Sequence, residues 1–131
     1  MGAACISAEA RQYADPKIIG PDAASSAAIR VGLVDYAFEL ETTSAPAGVI
    51  DFIAENKGTD FHEFVIVRRL GDHYDLPYGE IEAMEPGETG AIRADLAAGS
   101  YALVCLIVSV ADGEPQSHMA LGMFAPFEVT K

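Results

Sequence analysis

Positive charge is what this chain has least of. Its 131 residues carry 8 Lys and Arg against 20 Asp and Glu, a formal net charge of −12. Such a surface repels phosphate backbones and anionic lipid, which argues against nucleic acid and membrane surfaces and toward cations or basic proteins as partners. Cysteine is scarce too: Cys5 and Cys105 are the only two, too few for a disulfide-stapled scaffold. Close Cys and His pairs of the zinc-site kind are missing, as is a glycine-rich phosphate loop. No apolar run reaches the roughly 18 residues that could span a bilayer, and no period of about 20–50 residues repeats. The length admits one domain with its own core and excludes two-domain enzymes and solenoids.

What is present divides into two parts. Residues 1–28 read as a flexible leader or linker, rich in Ala and Ser, with Pro16, Gly20 and Pro21 as breakers. Their start, Met1-Gly2-Ala3-Ala4-Cys5, resembles the end of a bacterial lipoprotein signal, where small residues precede a lipidated cysteine; Gly2 stands where that motif usually has Leu. A trimmed lipoprotein or secreted precursor and an ordinary N-terminus both remain open. Residues 29–131 read as a single domain of strands. Ile29, Val31 and Leu33 alternate, and Val34, Tyr36, Phe38 and Leu40 continue on the other parity, a phase change that predicts a β-bulge. Val49–Glu55 predicts a second strand, and Phe61–Arg69, apolar on both parities, predicts one covered on both faces. Gly71, Pro77, Gly79, Pro86 and Gly87 mark residues 70–90 as a long polar connection, with a short helical turn around Glu80–Met84. Ile92–Leu96, Ser100–Val108 and Phe124–Thr130 predict three more strands, with a loop over Ala111–Ser117. Short strands between turn signals predict an all-β antiparallel sandwich.

Four residues stand out by type: His62, Cys105, His118 and Met123. Two imidazoles and a thiolate with a weak axial thioether are the ligand set of a mononuclear blue-copper site, where soft sulfur suits Cu(I) and imidazole suits both oxidation states. Taken singly each has a bland reading: Cys105 as a small core hydrophobe, Met123 as a gap filler, His118 as a solvated loop residue. His73, beside Asp72 and Asp75, reads as a solvated loop histidine or a secondary metal site. Met84 is an alternative axial sulfur. A Cys5–Cys105 disulfide would abolish the thiolate. A catalytic thiol fits worse, because a continuous apolar strand is not the exposed, electropositive setting it needs.

From about Ala45 onward the sequence resembles the cupredoxins, the plastocyanin and azurin family. Pro46-Ala47-Gly48-Val49, Asn56-Lys57-Gly58 and Phe61-His62-Glu63-Phe64 resemble the segment leading to that family's first histidine. Pro86-Gly87-Glu88-Thr89 resembles the turn before its sixth strand, and Gly99-Ser100-Tyr101 with Cys105 resembles the stretch that delivers its cysteine. His118-Met119-Ala120-Leu121-Gly122-Met123 followed by Phe127-Glu128-Val129 resembles its closing ligand loop and last strand. The resemblance implies a Greek-key antiparallel β-sandwich holding one copper per chain, with His62, Cys105 and His118 as strong ligands and Met123 as the axial one. One departure is the loop of twelve residues between Cys105 and His118, longer than in the familiar small members and containing Asp112-Gly113-Glu114-Pro115. The resemblance also offers Asn56 as a brace for the cysteine loop.

The expected function is one-electron transfer in the periplasm or outside the cell, with no small-molecule substrate. The family resemblance implies an apolar docking face around an exposed edge of His118, and the acidic surface implies a redox partner with a basic docking face. A lipid on Cys5 would supply a membrane tether. Two other classes stand beside this one: a copper-binding or delivery protein that does not shuttle electrons, and a metal-free interaction module. An enzyme of this type would need a second metal centre, toward which only His73 is available.

Overall fold

Alternating apolar residues dictate extended backbone, and the computed structural model, which describes residues 17–131, is built almost wholly of strands. In chain order these are β1 (Lys17–Ile19), β2 (Ile29–Val34), β3 (Ala37–Leu40), β4 (Ser44–Pro46), β5 (Gly48–Asn56) and β6 (His62–Leu70). There follow β7 (His73–Met84), β8 (Thr89–Leu96), β9 (Gly99–Val104), β10 (Val108–Ala111), β11 (Glu114–Ser117) and β12 (Phe124–Thr130). A single helical turn, His118–Leu121, separates β11 from β12.

Two five-stranded sheets face each other, one in the order β1-β8-β5-β2-β3 and the other β4-β12-β9-β6-β7. Most neighbours are antiparallel, but β2 pairs with β5 and β4 with β12 in parallel, so the sandwich is mixed rather than purely antiparallel. Its centre is aromatic: Phe52 lies 5.5 Å from Phe64 and 5.6 Å from Phe127, ring centre to ring centre, and all three are buried with Leu33, Ile66, Ile92 and Leu103. As its sequence predicts, β6 is covered on both faces. Phe64 and Ile66 join the main core, and Val65 and Val67 form a second cluster with Ala102 and Val104 of β9.

The structure differs from the sequence-based expectation at several further places, and the strand expected over Ser100–Val108 stops at Val104. The phase change after Leu33 is a hairpin turn rather than a bulge: Val34 pairs with Ala37, leaving Asp35 and Tyr36 at the tip. No helical turn forms at Glu80–Met84, which belongs to β7; that strand pairs along β6, with Leu70 opposite His73 across Gly71-Asp72. Pro77 and Gly79 flank a register shift against Ile66 and Val67, an irregularity of the kind where a strand accepts these residues. Ala111–Ser117 is no open loop but the end of a hairpin. Asp112 (φ 54°) and Gly113 (φ 79°) take the left-handed conformations of its tight turn. Finally, Lys17–Ile19, within the segment expected to be leader, pairs with Ala91–Arg93, and Asp51 binds both Arg93 and the Ser25 amide. Cys5 lies outside the described residues.

Candidate metal centre

Two strand ends and one turn deliver the donors. His62 opens β6 opposite Met84 of β7, and the register shifts between His62 and Phe64, a local break that can re-aim a side chain beside a site. Cys105 follows the last residue of β9. Its amide donates to the Met123 carbonyl at 3.2 Å, and its sulfur accepts the Glu63 amide at 3.4 Å. The Glu63 carboxylate in turn accepts the Leu106 amide at 2.9 Å, so the residue after His62 holds both the thiol and the amide that follows it. His118 begins the helical turn. Its amide donates to Ile107 O at 2.9 Å and its carbonyl accepts the Met123 amide at 3.0 Å, while Ser117 caps the turn by accepting the Ala120 amide.

These constraints converge. One donor atom each from His62, Cys105 and His118 lies within 4.8 Å of the others, and all three residues are fully buried. Sγ of Cys105 is 3.6 Å from Nδ1 of His118. Nδ1 of His62 is buried with no hydrogen-bond partner. A buried imidazole nitrogen left unpaired is costly. Two imidazoles and a thiol around such an orphan are a donor set that a copper ion satisfies. Met123 is fully buried in the same apolar cluster as Cys105, tied through its backbone to both Cys105 and His118.

The far side of each ring is held by acid. Nε2 of His62 lies 2.6 Å from Oδ1 of Asp35. Nε2 of His118 lies 3.2 Å from Oδ2 of Asp60 and contacts Oγ of Ser109, which itself donates to Asp60. A proton on each Nε2 is thereby favoured, leaving each Nδ1 with a free lone pair, that of His118 beside the thiol. Tyr36 packs edge-on to both rings, 5.7 Å from His62 and 4.8 Å from His118 between centres, and donates its hydroxyl to Asp60.

Burial pushes the Cys105 thiol above its ordinary range, and the Glu63 and Asp60 charges add to this against the amide bonds that lower it. Burial likewise pushes His118 down, opposed by Asp60. Asp35 is desolvated, which works against its charge, but the Thr59 hydroxyl and amide, His62 and the Asp60 amide outweigh this and hold it well below the carboxylate range. Asp60 is shifted the same way: the Phe61 amide, Tyr36, Ser109 and His118 overcome its desolvation.

Of the sequence candidates, the structure brings together His62, Cys105 and His118, while Met123 is joined to Cys105 and His118 through its backbone. Met84 is buried with its sulfur toward Gly90 of β8. His73 is exposed beside Asp72, away from the cluster. Cys105 is a free thiol. Asn56 braces its own turn instead of the cysteine loop, donating to Asp60 O and Met84 O and accepting the Gly58 amide. The expected exposed edge of His118 is absent, because the β10–β11 hairpin brings Ser109 over it. Sequence reasoning missed Asp35, Tyr36, Asp60, Glu63 and Ser109. Only Glu63, next to His62, had a positional signal.

Reduced auracyanin from the photosynthetic bacterium Roseiflexus castenholzii matches with a TM-score of 0.65 at 19% identity, over 82% of this chain and 100% of that one. Auracyanin A, a "blue" copper protein from Chloroflexus aurantiacus, matches at 0.56 and 17% identity, over 79% and 98%. The chain has the cupredoxin fold. Amicyanin from Paracoccus versutus, at TM-score 0.50 and 19% identity over 86% of this chain and 91% of that one, shares it. No protein-family model matches the sequence, and neither does any curated protein. The β10–β11 hairpin is the feature that covers His118, through Ser109.

Proposed function

We propose that the chain is a mononuclear blue-copper protein that carries single electrons outside the cytoplasm. The observation that carries this reading is the buried His62–Cys105–His118 cluster with its orphaned Nδ1. His62, Cys105 and His118 would hold the ion and Met123 would be its axial neighbour. Bound copper supplies a one-electron couple. The protein's part is to keep the donors in one arrangement: each imidazole is anchored at Nε2, the sulfur is fixed by the Glu63 amide, and burial excludes water. An electron carrier needs no bond made or broken in a substrate.

Since His118 is covered, electrons would pass at the adjoining surface. Leu106 and Met119, each one residue beyond a donor, are exposed with Tyr74 and Phe124 around an apolar groove. A redox partner with an apolar face and basic rim fits this groove and the net charge of −12. Location in the periplasm or beyond rests on the lipoprotein-like Met1–Cys5, where a lipid would tether the chain. No described helix is long and apolar enough to cross a membrane.

The test is titration of the purified chain with Cu(II), followed by visible absorption, beside Cys105→Ser. An intense band saturating at one copper per chain and lost in the variant is the expected result. A folded, reduced chain with no such band would overturn the reading in favour of a metal-free module. A band without rapid electron self-exchange would favour copper delivery.

A further inference from the structure

Two carboxylates sit behind the two imidazoles, and nothing in the ligand set itself requires them. Asp35, at the tip of the β2–β3 hairpin, reaches Nε2 of His62 at 2.6 Å. Its orientation is over-determined: Thr59 donates its amide at 3.0 Å and its hydroxyl at 2.5 Å to Oδ2, and the Asp60 amide reaches Oδ1 at 3.3 Å. Asp60 is fixed as firmly. Oδ1 accepts the Phe61 amide at 2.8 Å, and Oδ2 accepts the Tyr36 and Ser109 hydroxyls at 3.1 Å each. Gly58 leaves room for the first pair, because a Cβ there would strike both the Asp35 carboxylate and Nε2 of His62. Ser109 comes from the inserted hairpin, so the same insertion that hides His118 completes its acidic support.

We propose that Asp35 and Asp60 are paired anionic positioning residues that bias the copper couple toward its oxidised state and set a low reduction potential. The proposal rests on the copper reading above. Reduction adds one negative charge to a buried site, and two fixed carboxylates oppose that addition in a medium that screens poorly. Each also strengthens its imidazole as a donor by accepting the Nε2 proton, which favours the more highly charged metal state. A carboxylate behind only one ring would act on one ligand. Here both nitrogen ligands are treated alike from unrelated parts of the chain.

The test compares the reduction potentials of the copper-loaded wild type, Asp35→Asn, Asp60→Asn and, as a control, Asp72→Asn. Asparagine keeps the size and an acceptor oxygen but removes the charge. Asp72 is fully exposed just past the far end of β6 from His62, about 25 Å along the strand at roughly 3.3 Å per residue. Each site variant is expected to shift the Cu(I)-to-Cu(II) affinity ratio about tenfold toward Cu(I), a potential about 59 mV more positive, with no comparable change in Asp72→Asn. Site variants that move no further than the control would overturn the proposal. A second readout needs neither copper nor a variant: nitrogen-15 NMR of the imidazoles in the metal-free chain. Both rings protonated at Nε2 is the expected result, and a proton on Nδ1 of either ring overturns the anchoring. A wild type that shows the expected tautomers but forms no thiolate-copper band would fail the copper reading alone.

Discussion

The two histidines are held alike and supported differently. His62 stands at the start of a long central strand whose next inward residue, Phe64, is fully buried and packed on Phe52 and Phe38. His118 stands on one helical turn between the β10–β11 hairpin and β12, secured by backbone bonds to Ile107 and Met123 and by side-chain bonds to Ser109 and Asp60. Both rings reach the same end: complete burial, with Nε2 on acid. One half of the site therefore borrows its rigidity from the hydrophobic core, and the other builds it locally from turns and hydrogen bonds. Damage to the first should appear mainly as lost stability, and damage to the second as an altered site in a folded chain.

The largest effect should come from the core side. Phe64→Ala removes a fully buried ring from the aromatic centre and is expected to cost about 3–5 kcal/mol in denaturant unfolding. Next comes Gly122→Ala, on the loop side. Gly122 has φ 140°, and a Cβ there would run into the Tyr36 carbonyl. A loss of about 1–3 kcal/mol is expected, with a changed copper spectrum that Phe64→Ala should lack in its folded fraction. If both variants changed only stability, the division between the halves would fail.

Acid sharpens the comparison through the donors. The Cys105 thiol is raised and the His118 imidazole lowered, so at neutral pH the sulfur keeps a proton that competes with the metal. Copper binding must release it, and apparent Cu(II) affinity should fall about tenfold per pH unit on acidification. Below the ordinary histidine range a second proton on His118 should steepen the fall. Competition titrations at several pH values measure the slope, and a flat profile near neutrality would contradict the raised thiol. The smallest effect is expected for Ser117→Ala, which removes the cap on the helical turn and should cost about 1 kcal/mol. Its copper spectrum should shift while the β6 side keeps its NMR signals.

The same division explains how much could be read from residues alone. Strand β6, the approach to Cys105 and β12 follow from alternation, and the four candidate donors stand out by chemical type. Asp35 and Tyr36 carry no glycine or proline, so a hairpin tip looked like a bulge. Pro77 and Gly79 look like connection until β6 is seen to pair with them. The acids behind the rings belong to distant parts of the chain: Asp35 is 27 residues from His62, and Ser109 is 49 from Asp60. No local period records such contacts. The burial of His118 was hidden for the same reason, since it depends on where the Asp112-Gly113 hairpin folds back.

A rigid, buried donor set should serve both oxidation states of copper without rearranging. X-ray absorption at the copper edge, recorded on one loaded sample before and after reduction, tests it most directly. Two imidazole nitrogens and one thiolate sulfur around a single copper are expected in both states, with little change in distance. Loss of an imidazole on reduction, or no sulfur in the oxidised state, would contradict it.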